Sequence, residues 1–367
     1  MPALTILTCY YRPKPGGLCK RYFRGIQALL ARGHTVHYLS VLPFPITHER
    51  CIGHRFPWPQ HATQGWLFWS VFHLLAPIGL LLLAWRYRVD RIYSFSVNYA
   101  WMLRPSARLR GLRNRVFLRA DLLQNEALQQ RQLSRVLGRR LEALALSDAD
   151  VAAVSQELLD RVQQRHPRMH LAQACVFPND LPPGPSYARA RLRQPCQLAC
   201  VGILEPRKNP YLLLQVLDLL HAPAHLHYYG SGPLLAELQE KTRGMASVSV
   251  HGWVEAASIW PQVDLLLMPS RHEGAPNAVL EALAGKIAVL ASDIPAHREI
   301  LPVQQLLPTD DPKAWAAMID RLIEDNAFLD TLQHEQAAAA QSLRFDWDQA
   351  FCAIIEADHP LGHREPA

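Results

Sequence analysis

The sequence predicts an α/β protein built of two doubly wound domains, and three observations carry that prediction. Apolar runs of strand length alternate with amphipathic stretches of helix length along most of the 367 residues. The opening, 4–30, reads as strand, glycine loop and helix, the arrangement with which a nucleotide-binding sheet begins. After 178–195, where five prolines and a glycine replace all periodicity, the alternation starts again. The length accommodates two domains. A content of 49% hydrophobic and 19% charged residues is that of a folded core rather than a disordered chain. The expected division is a first domain over 1–180, a linker over 181–195, a second domain over 196–345 and a closing helix within 346–367.

Taken in order, Leu4 to Tyr10 is a buried strand, and Gly16 and Gly17 let backbone approach a ligand in front of a helix that runs to Leu30. Thr35 to Val41 is the second strand. Gly65 to Trp85 contains no formally charged residue and is about as long as the roughly 20 residues of a membrane span. Pro77 and Gly79 interrupt it, and Val89 to Phe95 resumes a strand of the same sheet. It therefore reads as a membrane-surface helix or hairpin, as a buried crossover helix, or as a true span. Six arginines fall within 104–119 without an acid, either a solvated basic face or a contact for an anionic leaflet. Val116 to Leu118 is a strand whose carboxyl end leads to Asp121, where parallel sheets bind ligands. Asp148 and Asp150 mimic a D-x-D metal site but lie between a helix and the strand Val151 to Val154, with Ser155 as a helix cap, so no metal role is expected. In the second half, strands at 198–201, 225–229, 248–250 and 265–268 alternate with helices, and Arg344-Phe-Asp-Trp347 opens the last helix.

The stretch with the most chemistry is Ser270 to Gly285, SRHEGAPNAVLEALAG. Pro276 suits the first helical position and Gly285 the residue past the end. The N–H groups of Asn277, Ala278 and Val279 are then expected to be unpaired at the positive end of the helix, where a diphosphate binds. Glu273 and Glu281 frame this end with seven residues between them. Carboxylates are poor phosphate ligands but good acceptors for hydroxyls, so the pair fits a molecule with hydroxyls on both sides of its phosphates.

This spacing resembles the donor-site signature of retaining GT-B glycosyltransferases, in particular the nucleotide-sugar-dependent family 4. The strings VGILEPRKN, YGSGP, HGWV, LLLMPSRHEGAPNAVLEALAG and AVLASDIPAHREI match that family in order and spacing. The resemblance implies two Rossmann-like domains facing across a cleft, with the last helix crossing back to the first. It implies that Lys208 contacts the donor diphosphate, that Gly16, Gly17 and Gly274 lie beside the sugar and phosphates with the Asn277 and Ala278 N–H groups, that Glu273 holds sugar hydroxyls and that Glu281 holds those of the ribose. Two departures stand out. Ile203 replaces the family arginine after Gly202, which leaves Arg207 as the candidate second cation. Asp121 stands nearest the position of the family histidine beside the anomeric centre.

Charge is divided unevenly: 24 lysines and arginines face 10 acids in 1–180 (net +14), against 14 and 22 in 181–367 (net −8). A basic first half expects an anionic partner, here a membrane surface or an acidic glycan. No recognition helix, zinc finger or RNP pattern favours nucleic acid. Seven scattered cysteines without C-x-x-C spacing suggest a reducing cytosol, and the 17 histidines form no metal-ligand pair. The opening MPALTILTCYY lacks the features of a signal peptide, so a cytoplasmic protein on the inner face of the plasma membrane is expected. The expected partners are a nucleotide-diphosphate sugar and a glycan or lipid-linked acceptor, with no cofactor. A nucleotide-sugar epimerase and a non-catalytic binding protein remain the other readings at this level.

Overall fold

The computed structural model describes residues 2–13, 17–63, 65–118, 132–167, 173–359 and 361. The chain forms two units, one of residues 1–178 with 346–367 and one of 179–345. The sequence predictions at Gly16, Arg119 and Asp121 lie outside the described residues.

The first unit holds β1 (Thr5–Cys9), α1 (Gly17–Ala31), β2 (Thr35–Ser40), β3 (Cys51–Arg55), α2 (Trp66–Arg86), β4 (Arg91–Ser94), α3 (Val97–Arg110), β5 (Asn114–Leu118), α4 (Gln132–Leu146), β6 (Ala149–Ala153), α5 (Gln156–Arg165) and β7 (Ala174–Val176). Its seven strands pair in parallel in the order β3-β2-β1-β4-β5-β6-β7, so the direction of travel across the sheet reverses between β1 and β4. Ser155 caps α5 by accepting a hydrogen bond from the Leu158 N–H, as its place before the helix predicts. The last helix of the chain, Trp347–Glu356, belongs to this unit. Trp347 and Phe351 are fully buried there. A side chain at Gly25 of α1 would meet the Phe351 ring at 2.7 Å, so the absence of a Cβ sets how closely the two helices pack. Arg24 pairs with Asp348 at 2.7 Å, and Glu356 takes Arg32 at 2.9 Å and His34 at 2.8 Å.

Helix α2 settles the alternatives for 65–85 as far as the backbone goes. It is one continuous crossover helix between two parallel strands, not a hairpin, and it runs through Pro77 and Gly79 without a break. Only a stripe is buried: Phe68, Phe72, Ala76, Pro77, Leu80 and Ala84. The opposite face leaves Trp66 79% and Trp85 62% exposed, with Leu74, Ile78 and Leu82 open between them. The helix is long and apolar enough to cross a membrane by length and composition.

The basic stretch 104–119 does not form one face. Arg104 pairs with Asp148 at 2.7 Å and Arg113 with Asp150 at 3.1 Å, while Arg115 is buried and donates to the Ala357 carbonyl. The alternation of strand β5 brings Arg113 and Arg115 beside the buried Asp150 of neighbouring β6. Arg108 and Arg110 remain exposed, and Arg110 reaches the Val89 carbonyl at 3.5 Å, beside exposed Arg86 and Arg88. The exposed basic group is therefore gathered at the carboxyl end of α2. The same pairs occupy Asp148 and Asp150 with arginine.

The second unit holds β8 (Cys196–Val201), α6 (Leu212–Leu219), β9 (Ala224–Tyr229), α7 (Leu235–Lys241), β10 (Val248–Gly252), α8 (Ala256–Ile259), β11 (Leu265–Met268), α9 (Asn277–Ala284), β12 (Ala288–Ser292), α10 (Pro295–Arg298), β13 (Leu306–Leu307), α11 (Pro312–Glu324) and α12 (Asn326–Gln341). Its parallel order is β10-β9-β8-β11-β12-β13, with the reversal between β8 and β11. Successive residues of β11 enter opposite cores: Leu265 and Leu267 pack with Trp315 and Ile319, and Leu266 and Met268 with Trp260 and Val279. The proline-rich stretch expected as a linker lies along this unit. The Leu181 N–H bonds the Leu343 carbonyl at 3.2 Å, the Tyr187 N–H bonds that of Gly285 at 2.7 Å, and Arg189 and Arg193 pair with buried Asp264 at 2.7 and 2.9 Å.

Candidate functional site

A doubly wound sheet binds its ligand at the carboxyl ends of the strands that flank the reversal. In the second unit those strands are β8 and β11, and the loops that leave them carry Arg207, Lys208 and Glu273. After β8 the chain passes Gly202 and Ile203 and makes a 3-10 turn over Pro206–Lys208. The loop after β9 packs against it backbone to backbone. Gly230 has φ of +141°, and a Cβ there would sit 1.7 Å from the Gly202 carbonyl oxygen, so no other residue fits.

Glu273 is buried in the loop between β11 and α9. One carboxylate oxygen, Oε1, accepts from the Lys208 ammonium and, at 2.7 Å, from the Ser270 hydroxyl. The other, Oε2, accepts from Arg207 Nη1 at 3.0 Å. Arg207 also donates to the His272 carbonyl at 2.8 Å and to Glu205 at 2.6 Å, so it points into the site and holds the loop. Ile203, by contrast, is half exposed. Burial alone raises the pKa of Glu273, but Lys208 and Arg207, with the hydrogen bonds of Lys208 and Ser270, lower it to about 2. Glu273 is thus a fixed anion at neutral pH. It can accept hydrogen bonds and hold positive charge, and it has no proton to give.

Helix α9 begins one residue later than the sequence suggests. Pro276 is the capping residue, with ψ of 92°, and not the first helical one. Its carbonyl takes the Val279 N–H at 3.0 Å in a tightened first turn, so of the three N–H groups expected to be open, Val279 is already bonded. Asn277 and Ala278 are half-buried at the helix start, and Asn277 Oδ1 accepts from Asn179 at 3.1 Å, leaving its amide N–H₂ as the polar end to donate. Gly274 is buried beside Glu273, and Glu281 is half-buried one turn into the helix. Gly285 follows the helix but has φ of −77°, so it is not a left-handed cap. Its reason is crowding: a Cβ there would meet the Tyr187 ring at 3.0 Å.

The structure therefore brings together Arg207, Lys208 and Glu273, with Gly274 and the start of α9 adjoining. Gly17 opens α1 in the first unit. Sequence reasoning passed over Ser270, Glu205, Asn179, Ser292 and His297. Glu205, Ser270, Ser292 and His297 lie inside the strings that match the family but have no role singled out there, and Asn179 lies in the proline-rich stretch. For His297, its place inside AVLASDIPAHREI was the available signal. Among the described residues, no group of three or more histidine, cysteine or acidic side chains is placed to hold a metal ion.

Comparison with known proteins bears on the fold and on the segment that carries these residues. Residues 195–325 match the family model described as "Glycosyl transferases group 1". Fold and matched segment together define the class, a two-domain chain of the GT-B glycosyltransferase fold. In sequence, the chain is 28% identical over 259 residues, 64% of its length, to a D-inositol 3-phosphate glycosyltransferase of Xylanimonas cellulosilytica, and the alignment spans 61% of that protein. Among solved structures, sucrose-phosphate synthase from Thermosynechococcus elongatus superposes with a TM-score of 0.75 at 18% identity, covering 96% of this chain and 97% of that one. HepE from Anabaena, in complex with UDP-glucose, gives 0.73 at 17% identity over 96% and 98%. WaaG, a glycosyltransferase involved in lipopolysaccharide biosynthesis, gives 0.72 at 15% identity over 96% and 99%.

Proposed function

We propose that this chain is a retaining glycosyltransferase that moves a sugar from a nucleotide-diphosphate donor to a lipid-linked or cell-envelope glycan acceptor at the cytosolic face of the membrane. The observation that carries the reading is Glu273, held ionised by Lys208 and Arg207 at the reversal point of the second sheet and next to a helix start. Two cations and a helix end suit a diphosphate, and a fixed carboxylate suits sugar hydroxyls. The match of residues 195–325 to group 1 glycosyltransferases supports the activity. The complexes of HepE with UDP and with UDP-glucose support a nucleotide-sugar donor.

The chemistry follows from charge. As the bond between the anomeric carbon and the phosphate oxygen breaks, negative charge grows on the diphosphate and positive charge on the ring. Lys208, Arg207 and the N–H groups of Asn277 and Ala278 stabilise the diphosphate without a metal. Glu273 accepts from the sugar hydroxyls, and Glu281 from those of the ribose. The acceptor hydroxyl forms its bond to the anomeric carbon from the face the phosphate leaves, and its proton passes to a phosphate oxygen, which retains configuration. In this reading Asp121 is the candidate for the role of the family histidine.

The open apolar face of α2 supports the membrane surface as partner. Tryptophans mark both ends of the helix, and Arg86, Arg88, Arg108 and Arg110 lie exposed on its carboxyl end and on α3. Vesicle flotation is expected to show binding to anionic vesicles and partial release by salt, since surface charges are screened beyond about 8 Å at physiological strength. Binding should be lost when these arginines are replaced together with Trp66 and Trp85. A protein that ignores such vesicles removes the membrane part of the proposal. Incubation with a panel of nucleotide-diphosphate sugars, with and without membrane extract, tests the rest. Product that needs both donor and extract, and that persists in EDTA, is the expected result. A new free nucleotide sugar without acceptor identifies an epimerase, and no product with any donor overturns the proposal.

A further inference from the structure

Beyond the residues in contact with the expected donor, a buried chain of hydrogen bonds leads from α10 to Glu273. His297, Ser292 and Ser270 are all fully buried. His297 Nδ1 lies 2.7 Å from the Ser292 carbonyl oxygen, which can only accept, so Nδ1 carries the proton and Nε2 is a bare lone pair. The Ser292 hydroxyl donates to the Ser270 carbonyl and lies 3.3 Å from that of Met268, which ties the end of β12 to the end of β11. The Ser270 hydroxyl then donates to Glu273 Oε1. Nε2 of His297 is buried and has no hydrogen-bond partner among the described residues.

We propose that His297 is a positioning residue of the donor site, which acts through Ser292 and Ser270 to hold the Glu273 carboxylate where sugar hydroxyls are read. The proposal rests on the nucleotide-sugar reading of the site. Three groups orient Glu273, and two of them, Lys208 and Arg207, are the cations that a diphosphate draws toward itself. Once the donor is bound, Ser270 is the contact that remains to fix the carboxylate. The ring of His297 must stay neutral for this, because a third cation would compete with Lys208 and Arg207 for Glu273. Burial keeps its pKa below the ordinary value, against the raising effects of the Ser292 carbonyl and Glu273, and Lys208 lowers it further.

Two measurements on the full chain test the assignment. Nitrogen-15 histidine spectra of the ligand-free protein need no donor, so they stand whatever becomes of the nucleotide-sugar reading. A neutral ring protonated at Nδ1 near neutral pH is expected, and an Nε2–H tautomer or a charged ring overturns the proposal. Calorimetry with UDP and UDP-glucose then compares His297→Asn, which keeps a donor at the Nδ1 position, with His297→Leu, which removes it. The leucine variant should lose about tenfold in affinity for UDP-glucose and keep its affinity for UDP, while the asparagine variant stays close to wild type. Equal losses for both ligands, in step with a fall in melting temperature, mark a merely structural histidine and overturn the proposal. A wild-type protein that binds neither these ligands nor any other member of a nucleotide-diphosphate sugar panel defeats the nucleotide-sugar reading instead.

Discussion

The two sheets reverse direction at equivalent places, between β1 and β4 in the first unit and between β8 and β11 in the second, but the chemistry at the two carboxyl edges differs. In the second unit the edge is ionic, with Glu273 and Glu205 satisfying Lys208 and Arg207. In the first it is aromatic. Tyr10 packs on Tyr99 with ring centroids 5.1 Å apart, Tyr11 on Trp69 at 5.0 Å, and Arg12 lies over the Tyr11 ring at 5.7 Å. One architecture thus offers two kinds of recognition. Fixed charges bind and activate a phosphate leaving group, whereas in the first unit Tyr10, Tyr11 and Tyr99 are buried, and half-buried Trp69 is the ring of this group left to meet the C–H surface of a sugar. The difference accords with the proposal that the donor binds at the second edge and the acceptor at the first.

The largest effect should come from removing a cation from the ionic edge. Lys208→Ala is expected to lower turnover by about 10²–10³, the usual scale for a lost group that stabilises the developing anion. Single-turnover kinetics with saturating donor would show it, and turnover near that of wild type would dissolve the contrast between the edges. Next comes Glu273→Gln, which leaves two largely buried cations without their anion and should destabilise the second unit by about 3–5 kcal/mol. The sign of its pH dependence is fixed. Because the folded pKa is about 2 against an ordinary 4.5, the stabilisation is complete above 4.5 and lost as pH falls through 2. Acid titration of wild type and variant should therefore converge toward the low end of that window, and parallel curves would exclude the ionised state.

A smaller effect is expected at the aromatic edge. Trp69→Leu removes the ring contact with Tyr11 and those with Phe68, Phe72 and His73, and should raise the acceptor KM several-fold with the donor KM unchanged. A change in the donor KM instead would place the donor on the wrong edge. The smallest effect sharpens the comparison by testing where the units are alike. Each carries a histidine pair on an outer pair of strands, His37 with His54 and His227 with His251, both at 2.9 Å. Burial and neighbouring histidines lower the pKa of His37 and of His227 to about 4. The unfolded chain binds more protons between the ordinary 6.5 and that value, so both units should lose stability as pH falls through this range. Melting curves of His37→Gln and His227→Gln should each show a reduced slope there, and an unchanged slope in either would remove that pair from the account.

Much of this organisation was legible in the sequence because it depends on local patterns. Strand β11 was read as Leu265 to Met268, as observed, since four apolar residues in a row leave no other choice of face. Glu273 is singled out by its spacing from Glu281, and Lys208 by the resemblance of VGILEPRKN to the glycosyltransferase family. What escaped was set by tertiary neighbours. Nothing in the run of arginines at 104–119 shows that Asp148 and Asp150 take two of them. The composition of 65–85 cannot say that only one stripe is buried. Gly285 follows the helix as expected, but the contact that keeps it small is with Tyr187, a residue almost a hundred positions earlier. Pro276 was placed one position too far into the helix because proline is compatible with both the cap and the first turn. AVLASDIPAHREI contains both His297 and Ser292, but the bond between them and its link to Ser270 are set by the tertiary fold.

The closing helix Trp347–Glu356 also bears on how the chain is made. Trp347 and Phe351 sit fully buried in the unit that begins at the amino terminus. The second unit is contiguous, so all of its residues have emerged from the ribosome before those of that helix. Domains generally fold as units during synthesis. Here the amino-terminal unit is the one that waits: until the closing helix has been made, its core lacks two large aromatic side chains and leaves the face around Gly25 uncovered. Truncation after Phe345 should therefore damage the first unit rather than the second, and pulse proteolysis of arrested nascent chains should find 179–345 protected first.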